Sequence, residues 1–88
     1  MTWRIKYARS VQKSVKKLNP RVRQRLRDYL ENRIAQLADP RQIGKPLKGH
    51  HSELWRYRVG DYRIICEIQD NSLVVLVVRI GHRKEIYR

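Results

Sequence analysis

The segment 54-LWRYRVGDYRII-65 restricts the fold of this chain more than any other stretch. Apolar and aromatic residues alternate with arginines on both sides of Gly60-Asp61, a pattern that predicts a β-hairpin with a two-residue turn. In that hairpin Arg58 pairs directly with Arg63, and directly opposed residues lie on the same face of a sheet. The core face is predicted to hold Trp55, Tyr57, Val59, Tyr62, Ile64 and Cys66. The opposite face, which we call the arginine face, is predicted to hold Leu54, Arg56, Arg58, Arg63, Ile65 and Glu67.

The residues before this hairpin predict one strand and two helices. Residues 2–7 alternate with period two, as a strand does. Apolar residues then recur at spacings of three and four over 8–18 and again over 22–37, which indicates two amphipathic helices. Asn19-Pro20 separates them, because Asn is a good N-cap and Pro is tolerated at the first helical position. So short a joint predicts an antiparallel helical hairpin.

The order of these elements defines the fold class. A polar loop at 40–53 precedes three predicted strands, at about 54–59, 62–68 and 73–80. The order β-α-α-β-β-β predicts an α+β fold, with an N-terminal helical hairpin packed on a mostly antiparallel four-stranded sheet. We expect one domain over residues 1–88, because the chain is short and contains no linker-like segment.

The last strand, 73-LVVLVVRI-80, can pair with its neighbour in either of two registers. A three-residue loop at 69–71 gives one register, and a two-residue loop gives the other. We favour the three-residue loop, because the shorter one places the charge of Arg79 in the core. In the favoured register Val74, Leu76, Val78 and Ile80 join the core face, and Arg79, Gly81 and Arg83 join the arginine face.

The charge of the chain points to a polyanionic partner. There are 21 Lys+Arg against 8 Asp+Glu, a formal net charge of +13. Self-repulsion on that scale destabilises a compact state, and nucleic acid is the first candidate to relieve it. No segment has the apolar length of a membrane-spanning helix, and the N-terminus lacks the apolar core of a secretory signal. The single cysteine, Cys66, excludes an internal disulfide, and we expect a cytoplasmic protein.

The arginine face contradicts ordinary sheet design. Like charges placed opposite each other destabilise a sheet, and Arg58 faces Arg63. One interpretation is a solvated surface on an already basic protein. We favour a phosphate-binding function, because local departures from folding logic tend to mark functional sites. The guanidinium fork also binds phosphate oxygens in pairs and keeps its charge.

Three motifs together resemble the RelE family of toxin ribonucleases, within the RelE/ParE superfamily. They are 47-LKG-49, 55-WRYRVGDYRIIC-66 and 81-GHRKEIY-87, and the resemblance extends over essentially the whole chain. It implies the α+β fold described above and a cognate antitoxin that wraps around the toxin. It also implies cleavage of mRNA in the ribosomal A site, with the 2′-hydroxyl of the RNA as nucleophile and neither a metal ion nor another cofactor.

The resemblance also implies roles for individual residues. The catalytic positions of the family fall on Arg56, Arg58, Arg63, Arg83 and Tyr87. We further expect RNA, whether mRNA or ribosomal RNA, to contact Lys45, Lys48, Arg79 and Lys84. Arg56 and Arg58 stand where the best-known members have lysines, and an arginine does not deprotonate in proteins. We therefore assign to Tyr87 either proton transfer or stacking on a base to orient the 2′-hydroxyl. Glu67 and the loop pair His50-His51 are weaker alternatives for proton transfer.

Two other functions remain open at this point. The ParE branch of the superfamily has the same fold and inhibits DNA gyrase without catalysis. It generally lacks the basic cluster on the sheet and the terminal tyrosine, so Arg83 and Tyr87 favour the ribonuclease. The other alternative is an RNA-binding module without catalytic activity. No zinc motif and no glycine-rich phosphate loop is found in the sequence.

Overall fold

The computed structural model describes residues 2–47 and 54–82, and the predicted helices and strands are found there in the predicted order, with one further strand between the helices and the hairpin. The second helix continues past its α-helical part through a π-helical turn, Tyr29–Arg33, and a 3₁₀ turn, Ile34–Gln36. The helices and strands are β1 (Arg4–Tyr7), α1 (Arg9–Lys16), α2 (Pro20–Asp28), β2 (Lys45–Pro46), β3 (Leu54–Val59), β4 (Tyr62–Gln69) and β5 (Val74–His82).

The sheet has five strands in the order β1-β5-β4-β3-β2. β1 runs parallel to β5, and the other neighbouring strands are antiparallel. The predicted α+β class, with two helices on a mostly antiparallel sheet, is confirmed. One strand was missed, because Lys45 and Pro46 pair with Arg56 and Trp55 inside the segment predicted to be a loop. So short a strand has no periodicity, and proline is unfavourable in strands, so no sequence pattern marks β2.

The joint between the helices follows from two residues. The Asn19 side chain accepts a hydrogen bond of 2.8 Å from the backbone N–H of Arg21, and Pro20 begins α2. The helices then pack their apolar stripes on the core face of the sheet. The buried cluster between them comprises Trp3, Val11, Leu26, Leu30, Ile34, Ala35, Tyr57, Val59, Ile64, Cys66, Ile68, Val75 and Val77.

The central hairpin has the predicted register. Arg58 pairs with Arg63, and Tyr57 pairs with Ile64. Gly60 in the turn has a φ of +59°, a conformation that a glycine adopts without a steric cost. The division of β3 and β4 into a core face and an arginine face is therefore confirmed.

The first half of β5 has neither predicted register, but its side chains have the parity of the register that we did not favour. The turn after β4 spans 70–73 and is longer than expected. Val75 and Val77 are fully buried on the core face, whereas Val74 and Leu76 pair with residues of the arginine face. The prediction for Val74 and Leu76 is therefore wrong, because the length of the turn sets the parity of the whole strand that follows.

A β-bulge restores the predicted side-chain parity in the second half of β5. The ladder shifts between Ile65 and Cys66, and Val78, which was also expected on the core face, is the extra residue. Beyond the bulge the predicted faces are confirmed for Arg79, Ile80 and Gly81. The first half of β5 thus buries Val75 and Val77, and the second half keeps Arg79 out of the core.

Candidate functional site

Basic side chains from all five strands lie on the arginine face. Directly paired residues share a face, so the observed registers assign each of them. The basic residues are Arg4 and Lys6 on β1, Lys45 on β2, Arg56 and Arg58 on β3, Arg63 on β4 and Arg79 on β5. Within the described strands, Glu67 is the one acidic residue on this face, and it accepts a hydrogen bond of 3.0 Å from Gln69. The face therefore has a strong excess of positive charge.

The centre of this face is the pair Arg58 and Arg63. Arg63 is 8% exposed and Arg58 is exposed, while Arg56, two residues along β3, is half-buried. A guanidinium remains charged when it is desolvated, and charges attract more strongly where water is excluded. The buried charge of Arg63 is therefore well suited to hold an anion such as a phosphate.

A groove of about 520 Å³ opens beside the first residue of β2, Lys45. β2 pairs only with Trp55 and Arg56, so the outer edge of β3 is uncovered by β2 from Tyr57 onward. The groove is lined by Tyr29, Ile43, Gly44, Lys45, Arg56, Tyr57, Arg58 and Arg63. Its lining thus combines four basic residues with an aromatic wall.

Gly44 allows the chain before β2 to lie close against β3. A Cβ atom at Gly44 would be 2.7 Å from Cε1 of Tyr57 and 3.0 Å from the carbonyl oxygen of Arg56. Real Cβ atoms do not come so near, so any other residue would push this segment outward. Glycine therefore keeps Lys45 beside Arg56, at the mouth of the groove.

Arg41 fastens the same segment to the far end of the sheet. Its guanidinium donates hydrogen bonds of 3.0 Å and 2.7 Å to the two carboxylate oxygens of Asp70, and one of 3.2 Å to Asp39. Asp39 also accepts a bond from the backbone N–H of Arg41. The bidentate contact keeps the pKa of the Asp70 carboxyl below its ordinary value. The turn between β4 and β5 is in this way tied to the segment before β2.

The aromatic wall consists of Tyr57 and Tyr29. The Tyr57 hydroxyl donates a hydrogen bond of 2.7 Å to the carbonyl oxygen of Pro40, and the two rings meet edge to face at 6.4 Å. The guanidinium of Arg33 lies 5.7 Å from the centre of the Tyr29 ring. Burial raises the pKa of both phenols, so both remain protonated at neutral pH.

The structure brings together the predicted site residues that it describes. Lys45, Arg56, Arg58 and Arg63 line one groove, and Arg79 lies on the same face, paired with Ile65. The predicted residues Lys48, Arg83, Lys84 and Tyr87, and the pair His50-His51, lie outside the described residues. Glu67 pairs with Leu54 at the other end of the hairpin, as expected.

Sequence reasoning missed four residues of this surface. Arg4 and Lys6 reach the arginine face because β1 runs parallel to β5, a pairing that no local pattern marks. Tyr29 was read only as part of a helical stripe, and Gly44 only as a loop glycine. The alternation over residues 2–7 could have placed Arg4 and Lys6 on one face, but not on this one.

Residues 2–47 and 54–82 contain no group of three His, Cys, Asp or Glu side chains that could hold a metal ion. In the same residues no helix has the length and apolar character needed to cross a membrane.

Comparison with known proteins gives a consistent result. The family model described as the ParE toxin of the type II toxin–antitoxin system parDE matches residues 5–87. The chain is 26% identical to toxin RelG of Mycobacterium tuberculosis over 88 residues, which cover 100% of this chain and 99% of RelG. It is 30% identical to toxin RelE3 of Methanocaldococcus jannaschii, over 96% of this chain and 94% of RelE3.

A solved structure has the same fold. The toxin–antitoxin complex RelBE2 of M. tuberculosis contains a chain that superposes with a TM-score of 0.85, at 23% identity, over 94% of this chain and 93% of that one.

Proposed function

The chain belongs to the ParE toxin family of type II toxin–antitoxin systems, and we propose that it is an endoribonuclease of the RelE type that cleaves mRNA without a metal ion. The proposed place of action is the ribosomal A site, in the cytoplasm. The single observation that carries the proposal is the gathering of Lys45, Arg56, Arg58 and Arg63 around one groove. Four cations around one groove suit a scissile phosphate and the negative charge that grows on it during cleavage.

In the proposed reaction the 2′-hydroxyl of the RNA attacks the adjacent phosphorus. A bond forms between O2′ and phosphorus while the bond from phosphorus to O5′ of the next nucleotide breaks. The products are a 2′,3′-cyclic phosphate and a 5′-hydroxyl. Negative charge grows on the phosphoryl oxygens in the transition state, and fixed cations stabilise that charge without reorganising. We assign this function to Arg56, Arg58 and Arg63.

The reaction also needs groups that remove a proton from O2′ and deliver one to O5′. The three arginines cannot do so, since arginine stays protonated. Tyr29 and Tyr57 cannot serve as bases either, because burial raises the pKa of both phenols and keeps them protonated at neutral pH. We therefore propose Tyr87 as the proton carrier and Arg83 as a further phosphate ligand.

The proposed partners are a cognate antitoxin protein, mRNA and the ribosomal RNA. RelBE2 of M. tuberculosis, which shares the fold, was solved as a toxin–antitoxin complex. A chain of charge +13 requires an acidic counterpart to keep it inactive, and an antitoxin with an excess of Asp and Glu would supply it. RNA competes for the same positive field through its phosphates.

Controlled expression tests the ribonuclease. The chain, its Arg63→Ala variant and its Lys16→Ala variant are each expressed from a tightly repressed promoter, and the 5′ ends of cellular mRNA are mapped. We expect new 5′-hydroxyl ends with the wild type and with Lys16→Ala, which alters an exposed residue of α1, but not with Arg63→Ala. Growth arrest without new mRNA ends would refute the proposal.

One observation favours a second candidate function. The description of the matching family model names the parDE system. Inhibition of DNA gyrase is the function that we associated with the ParE branch. Supercoiling by purified gyrase, measured with and without the purified chain, separates the two. Inhibition of supercoiling that persists in Arg56→Ala and Arg63→Ala would favour the gyrase inhibitor.

A further inference from the structure

The groove beside β3 has two chemically different parts. Lys45, Arg56, Arg58 and Arg63 form the cationic part, and Tyr29, Tyr57 and Ile43 form the other. A site that held only phosphates would need only the first part. A nucleotide, in contrast, presents an anionic phosphate and a planar apolar base, and both halves of this groove match it.

Tyr29 is held firmly in place at this groove. It begins the π-helical turn through which the second helix continues after α2. The Tyr57 ring supports it from one side, and Tyr57 is itself anchored through its hydrogen bond to Pro40. Arg33 lies over the Tyr29 ring. An aromatic side chain fixed in this way loses little entropy when a ligand binds.

The hydroxyl of Tyr29 has a different environment from that of Tyr57. Tyr57 donates to a buried carbonyl, whereas the Tyr29 hydroxyl forms no hydrogen bond within residues 2–47 and 54–82. Tyr29 is also only half-buried and lines the open groove. Its ring thus provides a surface for packing that is not consumed by the core.

We propose that Tyr29 packs against the base of the nucleotide whose phosphate lies on Lys45, Arg56, Arg58 and Arg63. The inference rests on the proposed RNA-binding function and extends it, since it assigns a base-binding subsite to the aromatic wall. The ligand is single-stranded RNA, because a base that is paired and stacked in a duplex cannot enter the groove. Tyr29 is a base-binding residue in this proposal and takes no part in the chemical step.

A binding assay with RNA that cannot be cleaved tests the subsite. The probe is a fluorescent single-stranded RNA with 2′-O-methyl riboses, and a set of such probes carries one abasic position each. Removal of one base from an aromatic stack weakens single-strand binding about tenfold, and we expect Tyr29→Leu to weaken binding of the intact probe by that factor. For the probe that lacks the contacting base, the wild type and Tyr29→Leu should bind equally. Tyr29→Phe should bind within about twofold of the wild type, because the ring is retained.

Tyr7→Leu is the matched control. Tyr7 is also a half-buried tyrosine, but it lies on β1 at the far edge of the sheet and its hydroxyl donates to Glu31. This variant should bind every probe as the wild type does. Should Tyr29→Leu fail to fold, photocrosslinking of a probe with 5-iodouridine to the wild type gives the answer, with Tyr29 as the expected crosslinked residue.

The outcomes separate this inference from the proposed function. If Tyr29→Leu weakens binding of all abasic probes equally, or if no crosslink falls on Tyr29, the subsite is refuted while the ribonuclease proposal stands. If the purified protein and ribosomes fail to cleave mRNA but the base-dependent loss is observed, the ribonuclease fails and the subsite stands. If the wild type binds none of the probes, the subsite is refuted.

Discussion

Arg58 and Arg63 lie directly opposite each other on adjacent antiparallel strands, with Arg58 exposed and Arg63 buried. Their mutual repulsion works against the hairpin that holds them. Burial on the core face of the same two strands offsets this repulsion. The next pair along, Tyr57 and Ile64, is only 2% and 0% exposed. The core face of the hairpin thus stabilises the fold, and the arginine face destabilises it.

Removal of the charge at Arg58 should stabilise the fold. We expect Arg58→Gln to raise the free energy of unfolding by about 0.5 kcal/mol, since like charges in a cross-strand pair destabilise a sheet by that order. Urea denaturation at low salt measures it, and the gain should shrink at high salt, where the repulsion is screened. Lys6→Gln, on β1 opposite Leu76, is the control and should bring no such gain. A loss of stability in Arg58→Gln alone would contradict the prediction.

RNA binding should depend on salt in proportion to the cations involved. Each phosphate neutralised on a single strand contributes about 0.7 to the slope of log K against log salt. Arg56→Gln and Arg79→Gln should each reduce the slope by about that amount, because both side chains lie on the arginine face. Arg21→Gln, in the first turn of α2, is the comparison variant. An equal change in all three would mean that the whole surface binds RNA without a focus on the sheet.

Gly44→Ala should distort the groove as well as the fold. The added Cβ would lie 2.7 Å from the Tyr57 ring and 3.0 Å from a backbone oxygen of β3, and such crowding costs about 1–3 kcal/mol. We therefore expect a lower urea midpoint together with weaker RNA binding. Gly60→Ala is a useful comparison, since it strains a positive φ in the turn and does not alter the groove lining. It should lose stability but bind RNA normally once folded, and a normal affinity in Gly44→Ala would count against the proposed position of the RNA.

The contact between Arg41 and Asp70 should make stability depend on acid pH. The pKa of Asp70 is lowered in the folded state from an ordinary value of 3.8, chiefly by the hydrogen bonds from Arg41. The contribution is therefore fully present above pH 3.8 and is lost as the pH falls through the folded-state pKa. Asp70→Asn should be less stable than the wild type at pH 6, and the two should converge at low pH.

A double-mutant cycle checks this assignment. Arg41→Gln and the double variant Arg41→Gln/Asp70→Asn should both lack the acid-dependent part of the stability. Urea midpoints between pH 3 and pH 6, an interval chosen to span the ordinary pKa of 3.8, provide the measurement. If the acid dependence of the wild type survives in Arg41→Gln, the carboxylate owes its shifted pKa to another group.

The hairpin was predictable because neighbouring residues in the sequence determine its turn and its register. A two-residue turn at Gly60-Asp61 leaves one register, and that register places Arg58 opposite Arg63. The later part of the sheet was harder. The turn over 70–73 and the bulge at Val78 each reverse the parity of β5, and the sequence of apolar residues around them is too uniform to reveal either.

The groove could not be predicted from the sequence for a different reason. It depends on contacts between residues far apart along the chain, such as the hydrogen bond from Tyr57 to Pro40 and the close approach of Gly44 to β3. The arginines can be recognised in the sequence because the predicted hairpin pairs like charges. Tyr29 fits the apolar stripe of a helix like any aromatic residue, so only the tertiary structure reveals that it lines the same groove.

The parallel pairing of β1 with β5 has a consequence for synthesis of the protein. The first described strand finds its neighbour only in the last one, so the sheet cannot be completed until translation has passed β5. Arg4 and Lys6 then join Arg79 on one face only after nearly the whole chain has been made. A nascent chain whose β5 is still inside the ribosome cannot present the complete basic surface.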